Sequence, residues 1–219
     1  LPPPIVLYGG SFDPPHTAHL NLITHAMCAL EPQQLRILPC HIPPHKRGHV
    51  ASPEHRLAML RAVLKGVPGL IVDDRELRDT GVSYTVNTVR AIRQEVGGQA
   101  RLDFLLGWDS WAQFSTWYCW EGILDEVNLV VAPRPPSTNH SVARAISPDA
   151  AKLEIYEKNN RVAIEQLNSS RNGKIAMLEM DEIAIASSDI RTRLSRNEHI
   201  DDLVPGAVAE YIRTHDLYG

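Results

Sequence analysis

The sequence predicts an α/β fold: a Rossmann-like parallel sheet with helices on both faces and a C-terminal helical embellishment. Three observations carry that reading. Short, continuous apolar runs recur along the chain, segments with helical apolar spacing alternate with them, and turn residues separate the two. A strand that is apolar without alternation is covered on both faces, and strands joined through helices run parallel.

The elements follow in order. "IVLY" at 5–8 reads as the first buried strand, and "HLNLITHAMCAL" as a helix with Leu20, Ile23, Met27 and Leu30 on one face. "LRILPC" is a second strand ended by Pro39, and "SPEHRLAMLRAVL" a helix with Ser52 as N-cap and Pro53 in its first position. "LIVDD" is the third strand, "YTVNTVRAIRQEVGG" a helix closed by Gly97, "LDFLLG" the fourth strand and "NLVVAP" the fifth. Past Pro133 the rhythm changes. "RPPSTNHS" is a loop, "AAKLEIYEKNNRVAIEQLNSS" one polar helix or two, "KIAMLEM" a last strand, and a helical tail follows. The break near residue 135 looks like an embellishment, so residues 1–219 are expected to form a single domain.

Composition narrows the function classes. A hydrophobic content of 43%, a charged content of 22% and a net charge of -4 describe a soluble globular chain without the broad basic face that a nucleic-acid polymer demands. No apolar run approaches a bilayer span, so no membrane partner is expected. Three cysteines without CxxC spacing argue against a disulfide scaffold or a thiolate zinc site, and a cytoplasmic location is expected. Any bound phosphate should belong to a small ligand and be met by local cations.

The chemistry gathers in "YGGSFDPPHTAHL", residues 8–20, between the first strand and the first helix. In an open parallel sheet this connection is the usual phosphate site. Gly9 and Gly10 can adopt backbone angles closed to other residues and let a phosphate approach the main chain. Neither the GxGxxG spacing nor the Walker lysine is present. His16 and His19 instead lie about one helical turn apart at the entrance to a helix, where free N–H groups and the helix dipole favour anions. Taken singly, each histidine could be a helix cap or a satisfied core group, and the pair could ligate a metal, although no third ligand follows at clear spacing.

"GGSFDPPHTAH" is similar to the GGxFDPxHxGH signature of bacterial nicotinate mononucleotide adenylyltransferases, within the nucleotidyltransferase superfamily marked by H/T-x-G-H. "IASSDIR", 185–191, resembles that family's second signature, ISSTxIR, and "PPHK", "SYT", "LLGWDSW", "TWY" and "RPP" extend the likeness along nearly the whole chain. Ala18 departs from the glycine between the histidines, and Ala186 and Ser188 stand where Ser and Thr are commoner; Ser188 keeps a hydroxyl.

The resemblance implies a reaction that joins ATP and nicotinate mononucleotide into nicotinate adenine dinucleotide and pyrophosphate. It implies that Gly9, Gly10, Ser11 and Phe12 line the ATP site and that His16 and His19 bind its phosphates, His19 at the α-phosphate. Ser188 and Arg191 would hold the β- and γ-phosphates, Gly107 and Asp109 the ribose, and Lys46 the triphosphate or the attacking phosphate. Trp117 would stack on the pyridinium ring, with Tyr84 and Tyr118 lining the pocket and Thr85 heading a helix whose N–H groups receive the nicotinate carboxylate. Arg134 would help to hold the mononucleotide phosphate. No protein cage for a metal is expected; Mg²⁺ would arrive on the triphosphate. Related phosphopantetheine adenylyltransferases and cytidylyltransferases would share the phosphate machinery but not this acceptor pocket, and a non-catalytic nucleotide sensor is the rival from another class.

Overall fold

The computed structural model describes residues 1–41, 51–78, 82–133, 149–181 and 183–219. Its centre is a six-stranded, all-parallel sheet formed by β1 (Ile5–Gly10), β2 (Gln34–Pro39), β3 (Leu70–Val72), β4 (Leu102–Leu106), β5 (Asn128–Val131) and β6 (Ile175–Met177), in the order β3-β2-β1-β4-β5-β6. The helices α1 (Thr17–Leu30), α2 (Pro53–Leu64) and α4 (Thr85–Val96) occupy the expected places.

Strand alternation builds two cores, one per face. Val6, Tyr8, Leu35, Ile37, Leu105 and Val130 point to the face packed by Leu22, Ile23, Ala26 and Leu30 of α1 and by Leu60 and Leu64 of α2. Ile5, Leu7, Phe104, Leu129 and Val131 point the other way, onto Val86, Val89 and Ile92 of α4. The successive residues Leu105 and Phe104 therefore sit in different cores, the period-two consequence of a pleated strand covered on both sides.

Several expectations are corrected. The α1 face that packs is Leu22, Ile23, Ala26 and Leu30, while Leu20 and Met27 sit half-buried at its flanks. β3 is a three-residue edge strand whose Ile71 is exposed, because only β2 pairs with it. The polar stretch after residue 149 divides into α7 (Ala150–Asn160) and a 3₁₀ segment, Ile164–Ser169. Short helices absent from the sequence reading follow β3 and β4: α3 (Arg75–Arg78), α5 (Trp108–Ala112), a 3₁₀ turn (Phe114–Thr116) and α6 (Trp120–Leu124). The C-terminal α8 (Ser187–Leu194) and α9 (Gly206–Thr214) pack Ile190, Val208, Ala209 and Ile212 against Met59 of α2, a third core.

The strand order positions the site. From β1 the chain moves outward to β2 and β3, then returns to lay β4 on the other side of β1. The connections leaving β1 and β4 therefore diverge, opening a crevice at the carboxyl ends of these two central strands. At the opposite end of the sheet, Arg101 meets Asp103 with both atoms buried, Nη2 to Oδ2 at 2.6 Å, and Asn128 Nδ2 donates to Asp103 Oδ1 at 2.9 Å. That end is closed by its own polar network.

Candidate active site

The register Tyr8↔Leu105 sets Gly10 and Gly107 at the same level of the sheet, each two residues beyond a paired position. The loop after β1 and the N-terminus of α5, which Gly107 caps, thus face each other across the crevice.

The two glycines expected in the loop instead end β1, where they serve a different purpose from the one expected. Gly9 and Gly10 are extended, and neither has a positive φ. A Cβ on Gly9 would lie 3.2 Å from Phe104 Cζ and one on Gly10 3.0 Å from Phe12 Cζ, so both are bare to make room for aromatic rings. The left-handed residue is Phe12 itself, at φ 48, its ring buried edge-on to Tyr8 at 5.4 Å. Ser11, the adjoining ATP-site candidate, gives its carbonyl to Arg56.

His16 is the buried N-cap of α1. Its backbone N–H donates to Nδ1 of His19 at 3.2 Å, and the two imidazoles stack with centroids 3.6 Å apart. An accepting Nδ1 puts the proton of neutral His19 on Nε2, making that nitrogen a donor at the helix start. The ring of Phe12 lies 5.0 Å away, at a steep angle, and helps to fix the imidazole.

The two sequence signatures meet through Asp13 and Pro14, which are joined by a cis peptide bond. Ser187 Oγ donates to the Pro14 carbonyl at 3.1 Å. Arg191 Nη1 donates to the Asp13 carbonyl at 2.7 Å and lies 3.6 Å from Asp13 Oδ2. Asp13 is buried, and its Oδ1 also accepts from the Ala51 backbone at 3.0 Å and from the Tyr218 hydroxyl at 2.7 Å. Ser188 is exposed in the first turn of α8, so its hydroxyl faces outward while Ser187 does the bracing.

Arg56 is a structural member that sequence reading missed. It is fully buried, donating from Nη1 to the Ser11 carbonyl at 2.7 Å and from Nη2 to the carbonyls of Cys40 at 2.7 Å and His41 at 3.1 Å. It ties the ends of β1 and β2 together. Its signal was available: a charged residue three positions before Met59 and four before Leu60, on the apolar stripe of α2. Tyr218 carried no comparable signal.

The acceptor candidates form a second group. Tyr84 caps α4 and Thr85 begins it. The rings of Tyr84 and Tyr118 lie 4.7 Å apart, both exposed. Trp117, expected to be exposed, is half-buried: it packs edge-on to Phe104 at 6.4 Å and tilted on Phe114 at 5.4 Å. Phe104 therefore touches the space at Gly9 on one side and Trp117 on the other, linking the two subsites through one ring. Asp109 is exposed in the first turn of α5. Lys46 and Arg134 lie outside the described residues. Among the described residues, no three His, Cys, Asp or Glu side chains gather as a metal site, and no helix is long and apolar enough to cross a membrane.

A family model described as cytidylyltransferase-like matches residues 7–193. A protein of Saccharophagus degradans named "probable nicotinate-nucleotide adenylyltransferase" is 38% identical over 216 residues, covering 98% of this chain and 96% of its own. One of Pseudoalteromonas atlantica with the same name is 34% identical, covering 100% and 96%. The chain belongs to the nicotinate-nucleotide adenylyltransferase family. Among solved structures, Plasmodium falciparum nicotinic acid mononucleotide adenylyltransferase complexed with NaAD superposes with a TM-score of 0.70, covering 98% of this chain and 96% of that one. At 19% identity that likeness is one of fold.

Beside the acceptor group, the "SYT" segment lies against a half-buried acid, Glu76. Thr88 Oγ1 donates to Glu76 Oε1 at 2.6 Å, and Ser83 Oγ accepts from the His41 N–H at 3.2 Å. Burial pushes the Glu76 carboxyl up, against the hydroxyls of Thr88 and Ser83 that favour its ionised form. The folded protein thus keeps a proton on Glu76 to higher pH than the unfolded chain, and stability falls as pH rises from the ordinary value of 4.5 through the raised one. Glu76→Gln should flatten this slope. Urea midpoints for the two proteins between pH 4 and pH 7 are expected to diverge, the variant gaining relative to the wild type as pH rises.

Proposed function

We propose that this chain transfers the adenylyl group of ATP to nicotinate mononucleotide, giving nicotinate adenine dinucleotide and pyrophosphate, a step in making NAD. The observation that carries the reading is the convergence of the two signature segments, which lie more than 170 residues apart yet are joined by Ser187 to Pro14 and Arg191 to Asp13. Such a convergence at the switch point of a parallel sheet gathers donors and cations in one place, the requirement for a polyphosphate.

In the proposed mechanism a phosphate oxygen of the mononucleotide forms a bond to the α-phosphorus of ATP. The bond from that phosphorus to the bridging oxygen breaks in line, and its electron pair leaves with pyrophosphate. The nucleophile is already anionic, so no general base is needed. What remains is to position the reactants and to stabilise charge on the α-phosphoryl oxygens and the leaving group. His19 Nε2–H, oriented by the hydrogen bond at Nδ1, donates to an α-phosphoryl oxygen, and His16 and the start of α1 complete that cradle with Gly9, Gly10, Ser11 and Phe12. Ser188 and Arg191 receive the β- and γ-phosphates, Gly107 and Asp109 the ribose, and Lys46 the triphosphate or the attacking phosphate. Mg²⁺ carried by ATP supplies charge neutralisation on the phosphates; the His, Ser and Arg donors suit phosphate oxygens, so the ion would keep waters as its other ligands.

For the acceptor, Trp117 presents an indole face held by Phe104 and Phe114, suited to a cationic pyridinium ring. Tyr84 and Tyr118 form the adjoining wall, the start of α4 at Thr85 favours the carboxylate of the acid over the neutral amide, and Arg134 assists at the mononucleotide phosphate. We assign the reaction to the cytoplasm, a reducing compartment in which Cys28, Cys40 and Cys119 would stay free thiols, as they stand in the fold.

Pyrophosphate release with ATP and Mg²⁺, compared for nicotinate mononucleotide, its amide counterpart and phosphopantetheine, tests the whole reading. Preference for the acid is expected; reaction with phosphopantetheine alone would overturn the acceptor assignment, and no reaction with any would favour the sensor. His19→Ala should slow turnover by about 2–4 kcal/mol of barrier while ATP affinity changes far less. Steady-state kinetics and ATP titration check it, and equal losses would make His19 a binding residue only. Trp117→Ala should raise the KM for the mononucleotide and leave that for ATP in place, measured in the same assay.

A further inference from the structure

Asp13 occupies a place in this fold that the reaction leaves unused. It is buried three residues before His16, and its carboxylate gathers the Ala51 N–H, the Tyr218 hydroxyl and the Arg191 guanidinium. Arg191 is thereby drawn toward the loop, bonded at 2.7 Å to the Asp13 carbonyl and 3.6 Å from its carboxylate. A guanidinium required by a triphosphate is held in part by a carboxylate that competes for it.

Tyr218 reaches Asp13 across 205 residues of sequence. Its backbone is left-handed, at φ 69, and so is that of Asp216, at φ 50. Bulky L-residues seldom adopt such angles, and they persist where the surroundings fix the side chain. Here the fixed feature is a phenol aimed at one carboxylate oxygen at 2.7 Å. The proton stays on the phenol, because burial and the neighbouring Asp13 both push its pKa up, so the group is a permanent donor.

We infer that Tyr218 is a positioning residue for the phosphate site: by donating to Asp13 it takes up part of that carboxylate's charge, so that Arg191 can leave Asp13 for a polyphosphate. The inference rests on the assignment of Arg191 to the ATP phosphates. Without the hydroxyl, Asp13 would hold Arg191 more tightly, and polyphosphate binding would weaken while the acceptor side stayed as it was.

The test uses binding of inorganic tripolyphosphate, and of ATP without Mg²⁺, by calorimetry on the full chain. Tyr218→Phe is expected to bind both about five- to tenfold more weakly, the range of one ordinary hydrogen bond, since the loss reaches the ligand only through Arg191. Asp13→Asn added to Tyr218→Phe removes the competing charge and is expected to return binding toward the wild type, whereas a merely structural role predicts a further loss. The KM for nicotinate mononucleotide should move by less than about twofold, since the hydroxyl lies on the phosphate side. Unchanged polyphosphate binding in Tyr218→Phe, a double variant weaker than the single one, or a wild type that binds neither probe overturns the inference. If the binding pattern holds but no adenylyl transfer occurs with the mononucleotide, the inference stands and the acceptor reading falls instead.

Discussion

The site depends on the satisfaction of backbone carbonyls where two central strands end. β1 and β2 stop side by side, and the carbonyls of Ser11, Cys40 and His41 then need donors inside the protein. A fully buried carbonyl without a partner costs about 1–3 kcal/mol, and these partly buried ones share a smaller version of that cost. The Arg56 guanidinium serves all three with two of its nitrogens. Its burial is tolerable because all three bonds are charge-assisted, two of them at 2.7 Å. The histidine loop is consequently tied at its base to the end of β2, a few residues before the stacked His16 and His19 rings.

The two ends of the sheet solve opposite problems. At the amino ends, Arg101, Asp103 and Asn128 form a buried network, in which burial pushes the Asp103 carboxyl up and Arg101 opposes it. That network closes on itself and offers nothing to a ligand. At the carboxyl ends, Arg56 and Asp13 are used to fix the backbone, and the starts of α1 and of α8 are held beside them. The difference follows from topology: the strand order reverses at β1 and β4, so the connections diverge beside their carboxyl ends.

Phe104 shows how one core residue can touch both groups of candidate site residues. It lies on a central strand, its ring fills the space left by the missing Cβ of Gly9, and it supports Trp117. The ring contact makes the separation between the end of β1 and the aromatic group at Trp117 a property of the core rather than of two loops. For a displacement in which two anions must be held in line, such fixed spacing is what positioning requires.

Much of this was legible in the chain itself. Apolar runs, helix caps such as Ser52 and the closing Gly97 are local signals, because strand burial and helix ends are governed by neighbours one to four residues away. The histidine pair at a helix start pointed to a phosphate ligand, while the reaction itself was implied by the likeness of that segment and of "IASSDIR" to two family signatures. What only the tertiary structure decided was how these pieces are held: that Gly9 and Gly10 yield space to rings, that Trp117 is half-buried, that β3 is an exposed edge, and that Arg56, Asp13 and Tyr218 brace the loop. A partner 205 residues away leaves no periodic trace, since burial and hydrogen bonding there are properties of the assembled neighbourhood and not of the segment.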